Sequence, residues 1–530
     1  MFDFEFDPVL TAWGIVVRLG QALLDAGPTL LCGVLVAGIF SQMLGPQGTA
    51  RLFGVGARSG VLRAWFWGMM LPVCSLGVFP VIRELRRAGV SGGTILAFAL
   101  TGPLFNPLSL LYGLTLSEPI VIISFAFLSL VMVSVAGLVF DWLFPGTSLP
   151  VPEATTLPAP GLKRLLAVAV AAGRDLAGLS VLYIGVALLG LVLLVVFVPF
   201  GSMEHSMRHD DPWSPLIMVL IAAPAYESPM RAMMHLGLLF DHGNSVGAAL
   251  VLLILGAGVN LGLVVWSLRT FGLKLTAGWF VLVLAIVLGF AYGVNRPLDF
   301  AVNRESHTHA FDDFATPFPP GTTHAAVTGL VEGKLLDRAG AQELVGLLGV
   351  AGLLLLGLAT RLIDRAVARW QRGTESWSVI GWLQRTSSRP EWDWVIPSKV
   401  LAGIVLVGLV ALSIVGCYVY YAPPKELFEE MQMVRAEVQY CVLKANKDQA
   451  LRVLPRLDDL TRKLQVSVFL RTGQYDAAAA EKAEALREKL EALRDAFRLG
   501  TFAEKSAEEW NREVYQAWRE FRAAYDEVVP

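Results

Sequence analysis

Eight apolar stretches, each long enough to cross a bilayer, leave this chain few ways to fold. They run over 25–44, 92–114, 119–143, 176–199, 246–268, 275–294, 343–362 and 398–421. A helix crossing the hydrocarbon layer needs about 20 mostly apolar residues, and a spanning backbone must satisfy its own polar groups. The sequence therefore predicts an all-α polytopic membrane protein. Apolar residues make up 55% of the chain and charged residues 17%, which suits that class and no other. The N-terminus is acidic at Asp3, Glu5 and Asp7, and the first apolar run carries Arg18 and Asp25. Both features argue against a cleavable signal peptide. Residues 9–22 read as an amphipathic lead-in lying on the membrane surface.

One pattern occurs twice, about 150 residues apart. Gly93, Gly102 and Asn106 share the spacing Gly-x8-Gly-x3-Asn with Gly247, Gly256 and Asn260. Each copy follows a proline-broken apolar stretch, from Pro72 to Pro80 and from Pro224 to Pro229. Two related halves, each with a broken helix, form the outline of a secondary transporter. Prolines remove N–H donors and free carbonyls one turn back. Non-helical backbone is tolerated at membrane depth only where protein or a water-filled cavity satisfies it. Freed carbonyls, with Asn106 and Asn260 as donors and acceptors, are suited to bind a polar solute. Gly102 and Gly256 let a neighbouring backbone approach closely. Packed kinked helices glued by the two Asn residues are the plainer alternative.

Charge selects a topology. If the broken segments 64–83 and 214–236 both cross the membrane, basic residues divide evenly between the two sides. If each enters and leaves on one side as a re-entrant hairpin, one side holds 16 Lys and Arg in its loops, including Arg51, Arg58, Arg86, Arg174, Arg365, Arg385 and Arg389. The other side holds five: Arg208, Arg296, Arg304, Lys334 and Arg338. Basic loops stay in the cytoplasm, which favours the hairpins. Each half then has three crossings and one hairpin, so the second half is inverted relative to the first.

The run Leu71-Pro72-Val73-Cys74-Ser75-Leu76-Gly77-Val78-Phe79-Pro80, followed by Arg86-Arg87-Ala88-Gly89, Ala97-Phe98 and Gly102-Pro103-Leu104-Phe105-Asn106-Pro107, resembles the ArsP-type permease family. That family includes bacterial organoarsenical efflux permeases. The resemblance covers about residues 25–295 and is weaker in the second half, which keeps Pro224, Glu227, Pro229, Gly256 and Asn260. It implies a permease of the bacterial cytoplasmic membrane. Members that export trivalent arsenicals carry a Cys-Ser-Cys-Gly type motif, whose second Cys is here Leu76. A soft metalloid is best held by two or three thiolates. Cys32 is placed to approach Cys74, whereas Cys417 and Cys441 lie at or beyond the outer end of the last span.

The expected substrate-binding or gating residues are Cys74, Ser75, Asn106, Tyr226, Glu227 and Asn260. The hairpin backbone residues are Pro72, Pro80, Gly102, Pro103, Pro224, Pro229 and Gly256. Glu227 is the one carboxylate in either hairpin core and a candidate proton-coupling group, with a structural pair to Arg231 as the alternative. Glu84 reads as a solvated cytoplasmic turn. His205, His209, His307, His309 and His324 stand near acidic residues in outer loops without forming a recognised metal motif. No metal site or cofactor is expected.

Seven segments follow: an amphipathic N-terminal piece (1–24), permease repeat 1 (25–145), a cytoplasmic linker (146–175), permease repeat 2 (176–295), an extracytoplasmic loop (296–342), two additional spans joined by a basic loop (343–421) and a soluble helical bundle (422–530). The last holds 18 Lys and Arg and 20 Asp and Glu within 425–530, with Leu486, Leu490, Leu493 and Phe497 at helical spacing and breaks near Asn446, Gly473 and Gly500. A Gly-x4-Gly-Lys-Ser/Thr phosphate loop and His-Glu-x-x-His are absent, and the two Gly-x-Ser-x-Gly matches, Gly89–Gly93 and Gly243–Gly247, open the repeated apolar stretches and do not sit on a predicted strand-to-helix turn. An ATP-driven pump subunit and these hydrolase classes are thereby disfavoured, and no basic patch argues for nucleic acid. The expected function is export of a small polar or metalloid solute, with the bilayer as partner and a protein bound by the bundle as a further candidate. A membrane-anchored scaffold or sensor acting through that bundle is the alternative. The sequence carries no signal for oligomeric state.

Overall fold

The computed structural model describes residues 7–54, 59–106, 109–110, 119–151, 157–158, 162–200, 211–233, 245–294, 315–318, 321–336, 338–370, 378–384 and 397–526. The described residues are helical with loops, and the chain divides into two compact units, the first reaching Ala411 and the second formed mainly by Leu412–Pro530.

The first unit begins with α1 (Pro8–Ile39), capped by Asp7, whose carboxylate accepts from the Val9 and Leu10 amides. Residues 9–22 thus continue without a break into the first span. A π-helical turn (Phe40–Leu44) and α2 (Gly45–Phe53) follow. Then come α3 (Gly60–Met70), α4 (Val78–Arg87), α5 (Gly92–Leu104) and α6 (Pro119–Leu143). A Cβ on Gly60 would lie 3.0 Å from Thr94 Oγ1, and one on Gly68 would lie 3.0 Å from the Gly102 amide. Hence α3 and α5 run parallel, and α4 returns the chain to the level at which α3 began.

The second half is built from α7 (Leu162–Asp175), a π-turn (Leu176–Ser180), α8 (Val181–Phe197), α9 (Ser214–Ala222), α10 (Val246–Val251), a further π-turn (Leu252–Ala257), α11 (Leu261–Phe271) and α12 (Leu273–Val294). Its contacts repeat those of the first half. Ser91 caps α5 by accepting from Thr94, and Ser245 caps α10 by accepting from Ala248. A Cβ on Gly93 would meet the Gly137 carbonyl at 2.0 Å, and one on Gly247 the Ala291 carbonyl at 2.6 Å. Gly68 packs on Gly102 as Ala222 packs on Gly256. Small residues at these positions are what lets the backbones approach.

The stretches 92–114 and 246–268, expected as plain spans, are each broken at the repeated Asn. Asn260 is an extended residue that caps the helix that follows, and Asn106 likewise accepts from the amide three residues on. The second break bends its helix pair by 59°. Among the described residues five helices are long and apolar enough to cross a membrane, or six with that bent pair.

Beyond the halves lie α13 (His324–Leu336), α14 (Ala341–Trp370) and α15 (Val379–Gln384), and α16 (Ser398–Tyr420) runs from one unit into the other. α14 packs backbone to backbone: a Cβ on Gly346 would meet the Pro28 nitrogen at 2.4 Å, and one on Gly357 the Gly173 carbonyl at 2.0 Å.

The second unit contains α17 (Pro424–Leu443), α18 (Lys447–Thr472), α19 (Ala477–Leu499) and α20 (Ala507–Asp526). Asn446 and Asp476 cap α18 and α19, and Gly473 and Gly500 take the left-handed conformation that ends them. Their apolar faces bury Met431, Leu457, Leu464, Leu486, Leu493 and Phe521, among others, around one core that also encloses Cys441.

Candidate functional site

The four hairpin prolines stand at helix ends. Pro72 follows the end of α3, Pro80 lies in the first turn of α4, Pro224 lies in the break after α9, and Pro229 opens the helical turns at 229–233. A first-turn Pro costs a helix nothing, because that N–H has no intrahelical partner. The prolines therefore define two short breaks, Leu71–Gly77 and Ala223–Ser228, without bending a helix interior. Pro103 lies inside a helix, in the last turn of α5.

Each break docks on a glycine of a neighbouring span. A Cβ on Gly33 of α1 would lie 2.4 Å from the Gly77 carbonyl, and one on Gly190 of α8 would lie 1.8 Å from the Pro224 carbonyl. No larger residue fits either place without moving the break.

Asn260, at the separate break before α11, reaches the first of these breaks. Its Nδ2 donates to the Ser75 carbonyl at 3.2 Å while its Oδ1 accepts from the Leu263 amide at 2.9 Å. One side chain thus caps α11 and holds a carbonyl of the other half. Tyr226 and Cys32 each lie near Cys74, and the buried Tyr226 hydroxyl makes no hydrogen bond among the described residues. Ser75 Oγ is buried and makes no hydrogen bond among the described residues. Cys74, Ser75, Tyr226 and Asn260 are thereby brought together. Asn106 does something different: its Oδ1 accepts from the Ser109 amide at 2.7 Å, and its own amide donates to Ser109 Oγ at 3.0 Å. It is a buried local cap. Gly256 leaves room for Glu227, whose Oε2 is 3.7 Å from where a Cβ would stand.

Glu227 and Tyr226 line a cavity of about 40 Å³ together with Arg18, Gln21, Asp25, Arg231 and Arg338. The Asp25 carboxylate takes Arg338 at 2.8 Å and Arg231 at 3.5 Å. Arg231 thus reaches Asp25, on another helix. Arg18 donates to Gln21 Oε1 at 2.9 Å and to the Ala315 carbonyl at 3.3 Å. Sequence reasoning used Arg18 and Asp25 only against a signal peptide. Their spacing from Gln21, three and four residues along one helix, was the signal that places all three on one face.

A second cavity, of about 650 Å³, lies toward the other end of α1, lined by Ser41, Gln42, Arg83, Glu84, Arg87, Arg174, Asp175 and Arg361, among others. Glu84 is here an inward wall residue, its side chain 12% exposed and paired with Arg87, and not a solvated turn.

His324 pairs with Asp7 at 2.6 Å, and no three metal-ligating side chains gather among the described residues. His205, His209, His307 and His309 lie outside the described residues, as do Arg58, Arg208, Arg296, Arg304, Arg385, Arg389 and Pro107.

A stretch of 88 residues, 17% of the chain, is 33% identical to the UPF0718 protein YcgR of Bacillus subtilis (strain 168), and covers 30% of that relative's length. No solved structure matches. A family model described as a predicted permease, ArsP_1, matches residues 15–295, the segment that holds both breaks and both asparagines. The chain is a multi-pass membrane protein and belongs to this permease family.

Proposed function

We propose that the chain is a secondary transporter of the bacterial cytoplasmic membrane, exporting a small polar or metalloid solute by alternating access. The observation that carries this reading is the bond from Asn260 to the Ser75 carbonyl. It ties the broken backbone of one half to that of the other. Several contacts support an inverted repeat. Gly14, near the start of α1, approaches Val195, near the end of α8, and Gly38, near the end of α1, approaches Val168. α3 therefore begins at the level where α1 ends, and α9 at the level where α1 begins. The hairpins enter from opposite faces and their tips converge.

In this reading Cys74, Ser75, Tyr226, Glu227 and Asn260 face the solute, and Asn106 stiffens the first tip. The 650 Å³ cavity opens toward the basic, cytoplasmic loops and the 40 Å³ cavity toward the opposite face. That combination is an inward-facing state. Glu227 is the coupling carboxylate. The domain boundaries follow the two repeats (25–145 and 176–295), with 296–342 and the bundle at 422–530 outside the cytoplasm.

Two measurements test it. Single Cys labels near Arg51, Arg86 and Arg365 should react from the cytoplasm only, and labels near Asp211 and Glu332 from outside only. Finding 51 and 86 on opposite faces removes the hairpin and the inverted repeat. Glu227→Gln should abolish gradient-driven flux while leaving part of solute exchange. Wild-type flux in that variant places coupling elsewhere.

A further inference from the structure

The larger cavity has a wall unlike a plain water-filled vestibule. Four guanidinium groups line it. Three are matched by carboxylates: Arg83 with Asp175 at 2.5 Å, Arg87 with Glu84, and Arg174 with Asp364 at 2.6 Å. The fourth, Arg361, donates to a neutral acceptor, the Arg174 carbonyl, at 2.7 Å. Among the described residues no carboxylate pairs with it. A guanidinium has five N–H donors, so Arg361 keeps most of its donors for something else. Its charge is the excess charge of the wall.

The surrounding backbone is arranged to admit that group. The Leu176–Ser180 π-turn contains Gly178 with non-helical backbone angles (φ −100°, ψ −136°), and a Cβ there would lie 2.8 Å from Arg361 Nη2. The π-turn Phe40–Leu44 stands on the same cavity and supplies Ser41 and Gln42. π-turns interrupt helices mostly at functional sites. Gln42 is 7% exposed, its Nε2 donates to Ser41 Oγ at 3.0 Å, and its Oε1 has no partner among the described residues. The amide oxygen and nitrogen are interchangeable by a flip. Turned over, Gln42 accepts from Ser41 and offers an N–H to the cavity. A volume of about 650 Å³ suits a small molecule.

We propose that this cavity binds a small oxyanion of the phosphate or phosphonate class, held by Arg361 with Arg87 and Gln42. Arginine's planar fork matches such oxygens in a bidentate way. Arg361 belongs to α14, beyond the segment that matches the permease family, so the site is a property of this longer chain. Serving as the cytoplasmic entrance for cargo is a role that rests on the permease reading; binding itself does not.

The test is calorimetric titration of the full-length protein with inorganic phosphate, in lipid-free detergent and in phosphatidylcholine nanodiscs with and without phosphatidylglycerol. Saturable phosphate binding is expected, weakened about tenfold or more by Arg361→Gln, because a charge-assisted bond is lost. Arg361→Lys should recover part of it. Arg87 is 57% exposed at its side chain, so Arg87→Gln tests the site should Arg361→Gln fold poorly, and should weaken phosphate several-fold. If phosphatidylglycerol displaces phosphate in the wild type but not in Arg361→Gln, the same oxyanion site is occupied from the lipid. Phosphate binding that is equal in wild type, Arg361→Gln and Arg87→Gln overturns the proposal, and so does the lack of saturable binding in every medium. Phosphate binding without flux of any solute removes the permease reading and leaves the site standing.

Discussion

Asn260 makes two bonds in two directions, and substitutions can separate them. Asn260→Ala removes the cap on the Leu263 amide, which costs about 1 kcal/mol. It also removes the donor to the Ser75 carbonyl. That carbonyl is buried with its residue, and leaving it without a donor costs about 1–3 kcal/mol. The sum is about 2–4 kcal/mol. Asn106→Ala loses a cap and the matching Ser109 contact with no bond between halves, so about 1–2 kcal/mol is expected. Asn260→Asp is the decisive variant. It keeps the acceptor that caps α11 and turns the donor toward Ser75 into a second carboxylate oxygen facing a carbonyl. Thermal denaturation in detergent, read by loss of the monodisperse peak, should order the proteins as wild type, Asn106→Ala, then Asn260→Ala. Asn260→Asp should be damaged nearly as much as Asn260→Ala, although its cap is intact. A wild-type midpoint for Asn260→Asp would mean that the bond between the halves carries no weight. The reasoning for a coupled pair of breaks would fail with it.

Gly190→Ala and Gly33→Ala should each lower the thermal midpoint, by about 1–3 kcal/mol or more of overpacking, because the added carbon would stand 1.8 Å and 2.4 Å from a break carbonyl. Gly185→Ala, which has open space around it, should melt like wild type, and equal midpoints for all three would refute the docking. Asp25→Asn leaves Arg338 and Arg231 without their shared carboxylate and should cost about 3 kcal/mol; adding Arg338→Gln should recover part, and additive losses would show that the pair does not interact. In the second unit, burial pushes the Asp458 carboxyl up, but Arg462, Arg487 and Arg494 outweigh it and hold the group at about 2. A lowered carboxylate contributes stability above its unfolded value, near 3.9, and loses it as pH falls through about 2, so Asp458 contributes about 2.5 kcal/mol at neutral pH. Asp458→Asn should speed amide exchange in α18 and α19 at pH 7 and flatten its rise between pH 4 and 2; an unchanged pH profile would dismiss the triad.

The features legible in the sequence were those with a period or a spacing. Two copies of one glycine and asparagine pattern, each behind a pair of prolines, located both breaks, and the contacts at Gly93 and Gly247 repeat in register. What the asparagines do was harder to read. A buried Asn in an apolar run suggests a ligand, but here each one lies just past the end of a helical stretch and accepts from the amide three residues on. Apolarity does not report such a break, so 92–114 and 246–268 read as unbroken spans. The ion-pair cavity was hidden for another reason. Asp25, Arg231 and Arg338 come from three distant segments, and no local pattern joins them.

The same limit applies to the part of the chain beyond the family match. A helix such as α14 reads, from composition, as one more span. Its glycines give it a different meaning, because Gly346 against Gly27 and Gly357 against Gly173 permit backbone contact with α1 and α7 at two heights. A helix held at two points on the core cannot shift as a loose neighbour would. Arg361 on it and Arg338 just before it each line a cavity walled mostly by residues of the matched segment. The polar walls of this permease are therefore completed from outside the family-matched segment. Charge in both cavities can change by altering Arg338 and Arg361, while the two breaks and their asparagines stay as they are.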